Sequence, residues 1–184
     1  MTASPCPPEI LSEIAELAQQ DQRGALDMVE RLLSDYADDA AVQFLHGSLL
    51  AAEKLYDAAE AAMSRAVRLA PDYAIARFQL GLLQLSNGAP AVAAATWAPL
   101  SRLPSEEPLR LFSEGLNEMA RDRFDDAVVL LRRGISLNTS NAPLNRDMEM
   151  ILAEIAHATA SASTDEQLSP AQQLLQQSST RRLH

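Results

Sequence analysis

A chain of 184 residues has room for one continuous core, and none for a repeat array beside a separate catalytic domain. Hydrophobic residues make up 47% of it, only six glycines occur, and Ala and Leu dominate the apolar supply, which argues against a sheet-rich fold and for an all-α one. The net charge of −10, with nine carboxylates against two arginines in residues 1–40, repels phosphate backbones and anionic lipid, so no nucleic acid and no membrane surface is expected as a partner.

The N-terminal segment, Met1 to Glu16, has neither a basic start nor an apolar stretch of signal-peptide length. Cys6 follows Thr2-Ala3-Ser4-Pro5 rather than the apolar run that a lipoprotein signal needs. A single cysteine allows no internal disulfide and no run reaches transmembrane length, so the expectation is a reducing cytoplasm. One lysine against fourteen arginines, with abundant alanine, fits a GC-rich bacterial genome.

Residues 40–141 carry an internal period of 34. Gly47, Gly81 and Gly115 keep that interval, as do Phe44, Phe78 and Phe112, then Ala59, Ala93 and Ala127, then Leu69, Leu103 and Leu137. A helix-interior glycine costs about 1 kcal/mol against alanine, so three in register imply that two antiparallel backbones approach closely there. Tyr56-Asp57 and Phe124-Asp125 mark the entry to second helices, where a carboxylate favours the N-terminus, and Pro90 takes the aromatic's place in the middle unit. Ladders such as Ala59, Met63, Ala66, Val67 and Ala127, Leu130, Leu131, Gly134 predict one buried stripe per second helix. Pro71 and Pro104 end two of them. Pro99 sits inside the middle one and should kink or shorten it.

Three repeats follow, at 40–73, 74–107 and 108–141. Run backward, the period places Ala25 and Leu32 opposite Ala59 and Ala66, so 8–39 reads as a degenerate N-terminal helix pair with Glu13 in the glycine's place. Forward, Leu144, Met148, Ile151, Leu152 and Ile155 give residues 142–158 one apolar face, fit to cap the exposed end of the array. Residues 159–184 are too polar to order themselves and read as a flexible tail.

Leu80-Gly81, Tyr56, Ala59, Ala66, Pro71 and the large Trp97 together resemble the tetratricopeptide repeat family, over roughly residues 40–141. The resemblance implies a right-handed superhelical stack of antiparallel helix pairs that grips a peptide or helical segment of a partner protein on a concave face lined by first helices. The chain departs from the family's pattern at Gln43, Arg77, Glu114 and Glu118, where large or buried residues are usual.

Carried onto this chain, the concave face takes Phe44, Phe78, Leu82, Leu85, Phe112, Leu116 and Met119 as candidate partner contacts, an apolar surface suited to an amphipathic helix or a segment with bulky side chains. The same phenylalanines have a second reading, as core, if the apolar face has rotated toward them. Family members that clamp acidic chaperone tails carry Lys, Arg and Asn on this face. Phenylalanine stands there instead, which argues against that role.

Arg65, Arg68 and Arg77, and Arg121, Arg123, Arg132 and Arg133, form two basic clusters, expected to pair with Asp57, Glu60, Asp122, Asp125 and Asp126 on solvated faces. The three histidines are scattered, no Cys/His spacing suits a metal, and no phosphate loop or nucleophile motif occurs, so neither enzyme activity, a cofactor nor a metal is expected. His46 beside Gly47 reads as a packed helix residue.

The expected function is therefore an adaptor or chaperone. In size, acidity and three-repeat layout the chain is similar to the repeat-type chaperones of bacterial type III secretion systems, an architectural resemblance only. The competing expectations are a structural subunit that self-associates as a homo-oligomer, and a tail that occupies its own groove through Leu174 and Leu175.

Overall fold

The computed structural model describes residues 5–166, with side chains through Ala160. Among them are nine α-helices and no strand: α1 (Pro8–Leu17), α2 (Gln22–Leu32), α3 (Ala40–Ala52), α4 (Tyr56–Leu69), α5 (Ala74–Ser86), α6 (Pro90–Trp97), α7 (Pro108–Met119), α8 (Phe124–Leu137) and α9 (Ala142–Glu166). Two compact units divide the chain between Ser113 and Glu114, within α7.

In the first unit α1 packs on α2, α3 on α4 and α5 on α6. Local sequence sets the starts. Pro8, Pro90 and Pro108 open α1, α6 and α7, where a fixed φ suits the first helical turn and the missing N–H would be unpaired anyway. Asp21 caps α2 through Gly24 N at 2.9 Å. Asp39 caps α3 through the amides of Ala41 (2.8 Å) and Val42 (3.1 Å), and its other oxygen takes the Cys6 amide at 2.8 Å, tying the segment before α1 to α3.

The turn from first to second helix is the same object three times. Lys54, Gly88 and Asp122, each 34 residues from the next, adopt φ of 62°, 76° and 60°. The following amides of Leu55, Ala89 and Arg123 reach back to the carbonyls of Leu50, Gln84 and Glu118 at 2.9 to 3.0 Å. The amides of Lys54, Gly88 and Asp122 donate to the carbonyls of Ala51, Leu85 and Met119 at 3.0 Å. This paired 6→1 and 5→2 closure is the Schellman motif, which satisfies the last carbonyls of a helix with one left-handed residue.

Glycines sit where the paired helices come closest. A Cβ on Gly47 would lie 2.7 Å from Met63 Cγ, and one on Gly115 2.9 Å from Leu131 Cγ; at Gly81 it would run into the Trp97 indole. Met63, Trp97 and Leu131 also repeat every 34 residues, so each repeat seats one large second-helix side chain on one first-helix glycine. In the first unit Ile14, Leu26, Val29, Leu49, Leu50, Ala59, Met63, Leu80 and Leu83 form a buried cluster that runs from α1 to α5.

Pro99 acts as expected. The α-helix ends at Trp97 and the chain tightens into a 3₁₀ turn, Ala98–Arg102, with Leu100 buried beneath it.

In the second unit α8 packs on α9. Leu144, Met148 and Ile155 form the buried stripe of α9, with Ile151 and Leu152 half-buried beside it. The helix continues to Glu166 rather than ending near 158. Its start is fixed by asparagines. Asn138, only 8% exposed, donates to Asn141 O and Asn145 Oδ1, and Asn145 returns a bond to Asn138 O. The expected flexible tail beyond 166, with Leu174 and Leu175, lies outside the described residues.

Candidate functional site

The expected phenylalanine stripe divides in two. Phe78 and Phe112 have no exposed surface, nor does Leu116, so these three are core and cannot be first contacts for a partner. For Phe78 the cause is Trp97. Its ring stacks on Phe78 with centroids 6.0 Å apart, Phe112 packs against Phe78 at 6.2 Å, and the indole N–H donates to Phe78 O at 2.9 Å. At the position equivalent to Trp97 in the preceding repeat stands Met63, a thinner side chain, and Phe44 stays half-buried with its ring edge-on to Tyr73 at 5.4 Å.

Leu82, Leu85 and Met119 also remain half-buried. With a 34-residue shift, Ala41, Phe44, Ser48 and Ala51 on α3 correspond to Ile75, Phe78, Leu82 and Leu85 on α5. Each set follows one helix face, at intervals of three or four residues. Seven of these eight are half-buried, Phe78 alone being sealed, and none is charged. In a chain with 22% charged residues, that makes the shared face of α3 and α5 an uncharged, partly open surface.

The polar departures from the repeat pattern have structural work of their own. Gln43 Nε2 donates to Ala37 O at 2.7 Å. Arg77, one repeat later, donates to Pro71 O at 2.8 Å and to Thr96 O at 3.2 Å. Both side chains thus hold the carbonyl of the preceding turn where the family normally packs an apolar group, a donor to the turn replacing that packing. A third polar chain joins Glu60, Gln84 and Thr96: Gln84, 5% exposed, donates to Glu60 Oε1 at 2.9 Å and accepts from Thr96 Oγ1 at 2.7 Å. Sequence reasoning missed it, since Glu60 and Gln84 are far apart in the chain.

The basic clusters are only partly dispersed as expected. Arg65 pairs with Asp38 at 2.7 Å rather than with a carboxylate on its own helix. In the second unit Glu118 gathers Arg123 and Arg121, and the bond from Arg123 leads in holding its carboxyl below the ordinary range. Arg123 also approaches Asp126 at 4.0 Å.

His46 is half-buried on α3; burial lowers its pKa, with Glu30 opposing part of that shift. Among the described residues no group of three His, Cys, Asp or Glu side chains could hold a metal ion. No helix there is long and apolar enough to cross a membrane.

The tetratricopeptide repeat family model matches two overlapping stretches, residues 14–74 and 48–98. A comparison with curated proteins gave no match. Among solved structures the chain is similar to MamA, with a TM-score of 0.58 at 20% identity, over 70% of this chain and 75% of that one. It is similar to TTC0263, a thermophilic repeat protein of this type from Thermus thermophilus, with a TM-score of 0.61 at 16% identity over 80% and 79% of the two chains. It is also similar to YrrB, described as a repeat protein with an unusual peptide-binding site, with a TM-score of 0.56 at 14% identity over 92% and 90%. Identities this low speak for the fold alone. The family match over residues 14–98, the Gly-on-large-residue packing and the thrice-repeated Schellman turn converge on an all-α array of tetratricopeptide-type repeats.

Proposed function

We propose that this protein is an adaptor or chaperone that holds a segment of a partner protein against the shared face of α3 and α5, with Phe44, Leu82 and Leu85 as its apolar contacts. The supporting observation is that face itself, where seven half-buried residues in register carry no charge within a strongly acidic chain. An uncharged surface costs little to desolvate and rewards bulky apolar side chains, so the partner segment is an amphipathic helix or an extended strand with apolar residues on one side. The unusual peptide-binding site of YrrB, a protein of similar fold, is consistent with that use of the fold. Phe78 and Phe112 support the face from the core, whereas Leu116 and Met119 belong to the second unit.

The test is peptide display selected on the full chain, repeated on Leu82→Glu/Leu85→Glu. Wild type should enrich peptides with regularly spaced large apolar residues, and the double variant should lose them while keeping its far-ultraviolet helical signal. Retention of the same peptides by a folded double variant would remove this face from consideration.

A further inference from the structure

A cleft of about 370 Å³ opens in the first unit between the turn joining α4 to α5 and the 3₁₀ turn after α6. Its lining is Pro71, Asp72, Ala74, Arg77, Pro99, Leu100, Arg102 and Leu103. It uses Ala74 and Arg77 of α5, a different row from Ile75, Leu82 and Leu85, and so is separate from the face described above.

Two cations, Arg77 and Arg102, line it. Arg77 is anchored by the carbonyls of Pro71 and Thr96, and neither it nor Arg102 makes an ion pair with any described residue. The fold does not need a charge at 77. One repeat earlier, neutral Gln43 holds the corresponding carbonyl, that of Ala37. The guanidinium therefore brings to the cleft a charge beyond the requirement of the staple, held rigid by two bonds, with Arg102 beside it and only Asp72 opposing. The rest of the wall is apolar: Pro71, Ala74, Pro99, Leu100 and Leu103.

We infer that this cleft binds an apolar carboxylate, with the carboxylate on Arg77 and Arg102 and the apolar group on Pro99, Leu100 and Leu103. Charge and greasy wall lie within one small volume, so a single residue or small molecule must supply both parts. A carboxylate joined to a branched or aromatic group does so, as a free acid or as the C-terminal residue of a peptide. A planar guanidinium with fixed orientation donates two parallel bonds to a carboxylate, and the apolar wall favours an anion that carries a hydrophobic group over a strongly hydrated one.

The experiment is an NMR titration of the full-length chain, reading the backbone amides of Ala74, Leu100 and Leu103. The probes are 4-methylpentanoate, its amide, the tripeptide acetyl-Ala-Ala-Leu with a free carboxylate, and the same peptide amidated. The acid forms should shift these amides and the amidated forms should not. A stronger response to methylpentanoate identifies a small-molecule site, and a stronger response to the peptide acid a C-terminal one. Arg77→Gln, which keeps the staple that Gln43 shows to be sufficient, and Arg102→Ala should each weaken binding about tenfold or more while leaving the unfolding midpoint close to wild type. Equal response to acid and amide, no response to either acid at millimolar concentration, or undiminished binding in both variants would overturn the inference.

Discussion

The indole N–H of Trp97 donates to the backbone carbonyl of Phe78 across 2.9 Å, while the same ring stacks on the Phe78 side chain and closes over Gly81. One residue of a second helix thus decides three things about the first helix opposite: which phenylalanine is core, which glycine is obligatory and how near the backbones come.

Gly81→Ala should accordingly be the most damaging of the repeat-glycine substitutions. An added Cβ would lie 2.5 Å from Trp97 Cε2, and a rigid bicyclic ring locked by its own hydrogen bond has little freedom to move aside. Overpacking of this kind costs about 1–3 kcal/mol. Above Gly47 the nearest obstacle is the flexible Met63 chain, with the Ala59 carbonyl and the Met63 amide at 3.1 Å behind it, so Gly47→Ala should lose less. Denaturant unfolding of the two variants makes the comparison, and a larger loss at Gly47 would contradict the role given to Trp97.

The two fates of the phenylalanines are separable by truncation. Phe78→Ala empties a fully buried site between Trp97 and Phe112 and should cost about 3–5 kcal/mol, whereas half-buried Phe44→Ala should cost clearly less. Phe78→Asp, an unpaired charge in that core, should unfold the first unit rather than merely block a partner. Equilibrium unfolding of Phe78→Ala within about 1 kcal/mol of wild type would return Phe78 to the surface.

These contrasts show how far the sequence could be read. The period was visible because glycine, alanine and phenylalanine repeat as identities, each demanded by close backbone approach or by volume. It revealed equivalence between positions but not rotation about the helix axis, so Phe44 and Phe78 looked alike although Met63 and Trp97 leave them different space. Arg77 and Gln43 appeared as breaks in the pattern, since a hydrogen bond to a turn carbonyl leaves no apolar signature. Least legible was the left-handed turn residue, because Lys54, Gly88 and Asp122 share a backbone angle and nothing chemical.

That hidden equivalence can be tested through the backbone alone. Nothing stands within 4 Å of a Cβ placed on Gly88, so Gly88→Ala adds no clash and should lose only the cost of a side chain at φ 76°, about 1–2 kcal/mol. Lys54→Gly relieves the same strain at φ 62° and should stabilise by up to about 1 kcal/mol, partly offset by the greater freedom of glycine in the unfolded chain. In a helix interior the same replacement would be destabilising. Thermal unfolding of both variants decides, and a marked loss in Lys54→Gly would mean that the turn does not need its left-handed residue.

Stability should also fall on mild acidification, through His46. Burial holds its imidazole below the ordinary 6.5, against a smaller upward pull from the Glu30 carboxylate. The unfolded chain therefore takes up this proton near 6.5 and the folded chain only at lower pH. Between those two points the unfolded state binds more protons, so unfolding free energy rises with pH there. As pH is lowered, the loss begins around 6.5 and levels off once the folded-state value has been passed. His46→Gln should flatten the dependence over this window. Glu30→Gln should deepen it, because removal of the carboxylate lets the folded-state value sink further. Denaturant midpoints for the three proteins at pH values between about 5 and 8 measure the effect. If Glu30→Gln were to flatten the profile instead, the histidine would have to be held charged by that carboxylate rather than neutral by burial.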